Sequence, residues 1–451
     1  MTVLVVVPDY ISHWYPLSAV AAALRARGHE VVVATGMALA AQIAADGHEH
    51  AELALGSGSN SGAPRAKRAE ELEAFFAATR EGMIATLRYQ AERRRHDLLW
   101  EPHAVAERLQ TIVADVAPDA VLVDQLAFGA TAALRGLRVP FVSFLPGHPC
   151  QLPAAGDTFG YPSLRPPGFP ASPAALRSLK ELCSNVASEF SAAYNAVVTA
   201  LDPAATQLDD VFAVGGTLGT LVNYPRQLGS HAARLPHAEL LGSCVRSEAP
   251  DRFFERLARA RGARPRAYVS LGSFLSARSD VLRGIADALR MLGWDAVIAT
   301  GATDPKDLGS VPSTWVLGEH LPQVAALEAC DIVVCHGGNN SVTEALTAGL
   351  PILATPFSTD QFAGAEDLRR AGLGDGIDPG SATPAEIATR LVSLLDGKAV
   401  QRAAELGAGL RHAPGAQRAA DAVERAAGLI SETTAPSSKP DEAQAQVATR
   451  G

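Results

Sequence analysis

Cysteine is scarce in this chain of 451 residues, and its five cysteines are dispersed without a single C-x-x-C pair. An odd, scattered set of thiols is typical of a reduced cytosolic protein and argues against a disulfide framework. His, Cys, Asp and Glu do not recur at metal-ligand spacings either, so we expect no metal site.

Long hydrophobic runs are also missing. No stretch approaches the roughly 18 apolar residues of a membrane span. The apolar run at residues 3–7 is short, is soon followed by Asp9, and has no basic segment before it, so a secretory signal is not expected. The sequence therefore predicts a soluble, cytoplasmic protein.

Positive charge is not in excess, since 39 Lys and Arg face 48 Asp and Glu and give a net charge of −9. A nucleic-acid partner is therefore not expected. Hydrophobic residues make up 47% of the chain, which supplies ample core material. A length of 451 residues exceeds what one ordinary core organises and predicts two or three domains.

Strand and helix patterns alternate in both halves of the chain, which is typical of doubly wound α/β domains with parallel sheets. In the first half the predicted strands are residues 3–7, 31–34, 120–123 and 141–144. In the second half they are residues 267–271, 295–299, 314–317, 332–335 and 352–354. Two such domains would face each other across a cleft.

We accordingly expect a first domain at residues 1–232, a linker at 233–262 and a second domain at 263–430, whose last helix can pack back on the first domain. Residues 431–451 are rich in Ser, Thr, Pro, Ala and Gln, and a disordered tail is expected there. Two long excursions, at 70–110 and 147–173, are candidate walls of a substrate cleft.

A glycine-rich turn at residues 336–341, here called the 336–341 turn, joins a predicted strand to a predicted helix. Glycines let the backbone approach a ligand, and the following helix N-terminus favours a negative group. A structural alternative stays open, because Ser341 and Glu344 also fit a capping box that satisfies the helix's own N–H groups. Asp360 and Gln361 follow the next strand and supply acceptors and donors suited to sugar hydroxyls.

Another glycine run, Gly372, Gly374 and Gly376, has a different context. It follows a predicted helix, whereas dinucleotide binding requires a preceding strand. We expect a turn here and no dinucleotide site.

The string from residue 336 to 361, with Leu321-Pro322-Gln323 before it, resembles the signature of family 1 glycosyltransferases. These are GT-B enzymes, which bind a nucleotide sugar between two Rossmann-like domains. The resemblance extends over about residues 1–425. It implies an α/β GT-B fold of two doubly wound parallel-sheet domains around a central cleft.

The resemblance implies roles for individual donor-site residues. His336, Gly338, Asn340 and Ser341 would surround the diphosphate, Glu344 would bind the ribose diol, and Asp360 and Gln361 would bind the sugar. Gln323 would touch the nucleoside, and Ser273 would supply a second diphosphate contact. His320 stands where plant members carry a base-stacking tryptophan, so the choice between uridine and thymidine stays open.

A histidine near the end of the first strand, His13, is the candidate base. Taken alone, a loop histidine is more often a surface or capping residue, and Asp124, after the strand at 120–123, could be a helix N-cap. His13-x-x-Pro16 resembles the family's N-terminal motif, whose histidine is the general base. Asp124 then matches the aspartate that stabilises the imidazolium formed during proton transfer.

The resemblance implies an inverting, metal-independent transferase that moves a sugar from a UDP- or dTDP-sugar to a small, mostly apolar acceptor such as a natural product. The nucleotide sugar is a co-substrate, and no cofactor is expected. Candidate acceptor contacts are Phe75, Met83, Phe128 and His148. Alternatives are a nucleotide-sugar epimerase or a non-catalytic nucleotide-sugar-binding partner. The O-, N- or C-glycosidic bond and the choice of monomer or homodimer stay open.

Overall fold

The structure is a computed structural model that describes residues 1–56, 65–229, 235, 238–248, 251–259 and 262–429. The tail expected at 431–451 and parts of the linker expected at 233–262 lie outside the described residues. Two parallel sheets, of seven and six strands, organise the chain. The expected pair of Rossmann-like α/β domains is confirmed.

The first sheet has the strand order β3-β2-β1-β4-β5-β6-β7. Strands β1 and β4 lie at its centre and are almost entirely buried, which explains their continuous apolar sequences. The strands are β1 (Thr2–Val6), β2 (Glu30–Thr35), β3 (Glu49–Glu52), β4 (Ala120–Asp124), β5 (Val142–Leu145), β6 (Thr220–Val222) and β7 (Ala238–Leu240).

Seven helices accompany this sheet among the described residues. They are α1 (Ile11–Ala26), α2 (Ala40–Ala45), α3 (Arg65–Glu81), α4 (Met83–Leu98), α5 (Pro102–Val116), α6 (Phe128–Gly136) and α7 (Pro173–Leu201). Helix α1 contains His13 in its first turn, so this histidine does not lie in a loop as expected. Helices α3, α4 and α5 occupy the first predicted excursion.

The second sheet has the order β10-β9-β8-β11-β12-β13. Its strands are β8 (Arg266–Ser270), β9 (Asp295–Ala299), β10 (Val316–Gly318), β11 (Ile332–Cys335), β12 (Ile352–Ala354) and β13 (Gly374–Gly376). The helices from residue 251 onward are α8 (Arg252–Arg259), α9 (Gly272–Leu275), α10 (Ser279–Leu292), α11 (Gln323–Glu328), α12 (Asn339–Ala348), α13 (Thr359–Ala371), α14 (Pro384–Asp396), α15 (Ala399–His412) and α16 (Gly415–Ala426). No helix in the described ranges is both long and apolar enough to cross a membrane.

Two short strands depart from expectation. Strand β7 lies inside the range expected to be linker yet pairs with β6 in the first sheet. We therefore propose that the first domain extends to Leu240. The expected turn at 372–376 is wrong: Gly372 ends α13 in the left-handed region (φ 66°), and β13 then pairs with β12 at the sheet edge. Three-residue strands carry too little periodicity to be recognised from sequence.

The two domains share a continuous apolar interface. One core cluster joins Leu145, Val222 and Tyr224 of the first domain to residues of β8, β11 and β12 in the second. The chain then returns to the first domain, because α16 packs on α1, where Arg27 contacts both Asp421 and Glu424 at 2.7 Å. Helix α3 belongs to the first domain, and its Phe75 and Phe76 side chains are buried against the second domain.

Candidate active site

A cavity of about 560 Å³ lies between the two domains, where the first turn of α1 meets the carboxyl ends of β8 and β11. This is the edge at which parallel α/β sheets bind ligands. Most of the predicted site residues line it: His13, His320, Gln323, His336, Gly338, Asn340, Ser341, Glu344, Asp360 and Gln361. The tertiary structure therefore brings together residues that are up to 348 positions apart in the sequence.

The 336–341 turn presents the N-terminus of α12 to this cavity. Gly337 adopts a positive φ of 81°, which only glycine takes easily, and Gly338 is the N-cap residue. Ser341 therefore lies within the first turn of α12, and the capping-box alternative for Ser341 and Glu344 is wrong. The unpaired N–H groups and the dipole of this helix end suit an anion.

His336 fits this anion site as a neutral hydrogen-bond donor. Burial lowers its pKa to about 4, although the nearby Asp360 carboxylate acts in the opposite direction. The ring lies close to two glycines, since a Cβ on Gly272 would come 2.9 Å from its Cε1 and a Cβ on Gly338 would come 2.2 Å from its Nε2. Both positions therefore need glycine to leave the imidazole in place.

Glu344 is buried beneath the cavity and belongs to a chain of polar side chains. Gln323 Nε2 donates to Glu344 Oε2 at 2.6 Å, and the Tyr268 hydroxyl donates to Gln323 Oε1 at 3.1 Å. His320, by contrast, has 80% of its side chain exposed. It lies at the solvent-exposed edge of the cavity.

Asp360 and Gln361 both lie at the start of α13. Ser358 Oγ donates to Asp360 Oδ1 at 2.8 Å, while Gln361 Oε1 accepts from the Phe357 and Ser358 N–H groups at 2.8 and 3.1 Å. The oxygen of Gln361 thus caps the helix, so the amide N–H groups are what it can offer a ligand.

His13 and Asp124 form a close pair. His13 Nδ1 lies 2.8 Å from Asp124 Oδ2, and the carboxylate is completely buried. The other oxygen, Oδ1, accepts the Leu126 N–H at 2.9 Å, so Asp124 orders the turn before α6 as well. The helix N-cap itself is Ala127 and not Asp124. This arrangement orients the ring with Nε2 available for chemistry.

The pKa of His13 is raised above its ordinary value. Burial alone would lower it, but the Asp124 carboxylate outweighs burial through its charge and its hydrogen bond, and Asp360 adds a smaller contribution. Asp124 therefore stabilises the protonated imidazolium, which is what a proton-accepting histidine needs.

Four predicted acceptor contacts lie elsewhere. None of them lines the cavity, and each is buried in packing: Phe75 against α10, Met83 beside Phe362, Phe128 among phenylalanine rings, and His148 against Asp367. The structure therefore places these four side chains in packing positions, and their role as acceptor contacts stays a prediction. Ser273 lies in α9, and its side chain lies outside the described residues.

The sequence did not single out two further polar residues that act at the domain boundary. Asn339 Nδ2 donates to the carbonyls of Pro146 and Asn223 at 2.6 and 2.7 Å, which ties α12 to the first domain. Arg246 lines the cavity and contacts Glu344. Asn339 stood inside the recognised string, but nothing in the sequence pairs Arg246 with a residue 98 positions away.

Comparison with known proteins agrees with this geometry. The NDP-glycosyltransferase YjiC of Bacillus licheniformis is 30% identical over 164 residues, which is 36% of this chain and 41% of that protein. The oleandomycin glycosyltransferase of Streptomyces antibioticus is 30% identical over 210 residues, 46% of this chain and 48% of that protein. The chain thus spans less than half the length of these curated relatives.

A solved structure matches the fold over nearly the whole chain. The solved glycosyltransferase of kitacinnamycin superposes with a TM-score of 0.69 at 23% identity and covers 94% of this chain and 98% of that one. A profile of the family described as UDP-glucoronosyl and UDP-glucosyl transferase matches residues 2–406. Because that match extends over most of the sequence, the chain belongs to the UDP-glucoronosyl and UDP-glucosyl transferase family.

Proposed function

We propose that this protein is an inverting glycosyltransferase that moves a sugar from a UDP- or dTDP-sugar to a small, mostly apolar acceptor. The observation that carries the proposal is the His13–Asp124 pair, at 2.8 Å, on the same cavity as the 336–341 turn. A histidine–carboxylate pair can remove the proton of an acceptor hydroxyl, and a helix N-terminus can bind a diphosphate. A non-catalytic nucleotide-binding partner would need only the helix N-terminus and not the histidine–carboxylate pair.

The reaction is a single displacement. His13 Nε2 takes the proton of the acceptor hydroxyl as the oxygen attacks the anomeric carbon of the sugar. The bond between that carbon and the diphosphate oxygen breaks, and the nucleoside diphosphate leaves with the electron pair. Attack opposite the leaving group inverts the anomeric configuration, and Asp124 stabilises the imidazolium that forms.

The donor is placed by the second domain. The N–H groups at the start of α12 and the neutral His336 ring receive the negative charge that develops on the leaving diphosphate. We assign the ribose hydroxyls to Glu344 and the transferred sugar to Asp360 and the Gln361 amide. We assign the nucleoside to His320 and Gln323, which line the same cavity.

The acceptor approaches His13 from the first domain. A small recess of about 60 Å³ shares His13 and Leu126 with the main cavity, and its other lining residues include Leu55, Leu98, Asp9 and Asp97. The leucines add apolar surface beside His13, and the acceptor itself would lie in the larger cavity of about 560 Å³. The names of the relatives, which include an oleandomycin glycosyltransferase, support a natural-product acceptor.

The proposal is tested by incubating the protein with UDP- and dTDP-sugars and a panel of hydroxylated apolar natural products, and measuring nucleoside diphosphate release together with product mass. We expect release only when an acceptor is present, with a product heavier by one sugar. Conversion of the donor sugar without acceptor would support an epimerase instead. Binding of nucleotide sugar with no turnover across the panel would support a non-catalytic partner.

A further inference from the structure

Arg246 stands out as a cavity residue with no place in the reaction described above. Its guanidinium contacts Oε1 of Glu344 through Nη1 and lies 2.5 Å from Glu248 Oε1 through Nη2. Its central carbon sits 3.8 Å from the centre of the Tyr15 ring. The side chain is therefore held on three sides, by two carboxylates and one aromatic face.

The second carboxylate is itself anchored. Glu248 Oε2 accepts the N–H groups of Val324 and Ala325 at 3.0 and 3.2 Å, at the start of α11. The same helix carries Gln323, the other partner of Glu344. Arg246 and Gln323 thus reach Glu344 from one connected unit, one to each carboxylate oxygen.

Glu344 can still receive a ligand in this arrangement. A carboxylate offers about four lone-pair sites, and the guanidinium and the Gln323 amide engage one on each oxygen. Two sites remain, which suits a pair of hydroxyl groups. The planar fork of arginine fixes the direction of the carboxylate better than a lysine would.

We propose that Arg246 is a positioning residue that holds Glu344 as an oriented, ionised carboxylate for the ribose hydroxyls of the donor. This inference rests on the proposed function, because it presumes a nucleoside diphosphate in the cavity. Arg246 acts through Glu344 and takes no part in the chemical step.

The ionisation of Glu344 depends on few neighbours. The titratable groups that face it are Arg246, Glu248, Tyr15 and Tyr268. Burial raises the pKa of Glu344, Arg246 lowers it, and the Gln323 hydrogen bond also lowers it, whereas Glu248 raises it. Without Arg246 the pKa of Glu344 rises further. The carboxyl group then becomes protonated as pH falls, and a protonated carboxyl accepts fewer hydrogen bonds.

The test is calorimetric titration of UDP and dTDP into wild-type protein, R246M, R246K and E344Q between pH 6.5 and 8.5. The ratio of the variant Kd to the wild-type Kd is taken at each pH, which cancels ionisation of the ligand. For R246M we expect a ratio of about ten at pH 6.5 that falls to about two at pH 8.5. R246K keeps the charge but loses the planar fork, so we expect a ratio of about three that changes little with pH.

E344Q carries a permanently neutral side chain, so its ratio should be high and independent of pH, and R246M should approach it at pH 6.5. R27M is the matched control, because Arg27 also contacts two carboxylates but joins α1 to α16 away from the cavity. Its ratio should be close to one, and thermal unfolding checks that each variant is folded.

An R246M ratio near one, or a ratio raised equally at every pH, would overturn the role given to Arg246. If R246M does not fold, the R246K and E344Q profiles decide: a pH-dependent E344Q ratio contradicts the inference. Wild-type protein that binds neither UDP nor dTDP would instead overturn the proposed function.

Discussion

The side-chain amide of Asn340, in the second domain, donates a hydrogen bond to the main-chain carbonyl of Ser12, in the first. In an uninterrupted helix that carbonyl would accept the N–H of residue 16, but residue 16 is proline and has none. The proline thus frees an acceptor that the other domain uses. Because His13 follows Ser12 directly, the bond ties the proposed base to the 336–341 turn.

Loss of this bond should slow transfer. In N340A we expect kcat to fall about fivefold to tenfold, as fits the roughly 1 kcal/mol of one hydrogen bond that positions a reacting group. Steady-state kinetics with saturating donor measures the effect.

P16A provides the partner variant, because it restores an N–H that competes for the Ser12 carbonyl. If both changes act through that carbonyl, the double variant should be little slower than N340A alone. Strictly multiplicative losses would show that Asn340 acts through something else.

The pH profile of transfer should report the His13–Asp124 pair. The base works when neutral, and its pKa is raised, so kcat/KM should fall as pH decreases through a midpoint above 6.5. In D124N the stabilisation of the imidazolium is lost. The midpoint should then move to lower pH and the plateau should drop about a hundredfold. An unchanged midpoint in D124N would separate Asp124 from the titrating group.

A buried polar cluster at the domain interface should matter for stability. His148 Nε2 and the Tyr224 hydroxyl both lie near Asp367 Oδ2, at 3.0 and 2.9 Å, and the Cys150 N–H donates to His148 Nδ1 at 3.0 Å. Nδ1 accepts that N–H, so the ring donates to Asp367 through Nε2. The cluster joins the loop after β5 to α13.

H148A leaves the buried Asp367 carboxylate short of a donor and should reduce the free energy of unfolding by about 3 kcal/mol. Y224F removes one hydroxyl and keeps the ring, so we expect about half that loss. Urea denaturation monitored by fluorescence measures both. Equal stability of H148A and wild type would mean that Asp367 gains solvent or another partner.

The close approach at Gly338 should be sensitive to a single methyl group. G338A places a Cβ 2.2 Å from His336 Nε2 without requiring a positive φ, so the imidazole must move. We expect the KM for the nucleotide sugar to rise at least about tenfold, a loss of about 1.4 kcal/mol of donor binding.

G284A is the matched control. Gly284 lies in α10 with open space around its Cα, so alanine there should leave KM unchanged and can add up to about 1 kcal/mol of stability. A normal KM in G338A would imply that His336 does not need its present position to bind donor.

The strands that could be predicted from sequence are those with uninterrupted apolar runs. Strands β1, β4 and β11 are buried on both faces and show it as runs of β-branched and apolar residues. Three-residue strands leave no such pattern, and β13 is Gly-Asp-Gly. Tertiary pairing at the sheet edge, and not local preference, makes it a strand.

The site residues that could be predicted from sequence are the donor-side string and the His13–Asp124 pair. The 336–341 turn, Glu344 and Asp360 lie within 26 residues of one another and form a recognisable string. Arg246 comes from a distant segment with no motif, so only the fold reveals its contact with Glu344. On the acceptor side the sequence is ambiguous: Phe128 is apolar and follows a strand, and these properties describe a core residue and a pocket residue equally.

The central claim is that His13 is the base of a glycosyl transfer, and single-turnover kinetics of H13A tests it most directly. With donor bound and acceptor in excess, we expect the rate of product formation to fall at least about a thousandfold, within the range of general base catalysis. The Kd for UDP or dTDP should change less than about threefold, since the proposed donor contacts lie in the second domain. An H13A protein that transfers sugar at the wild-type rate would contradict the account.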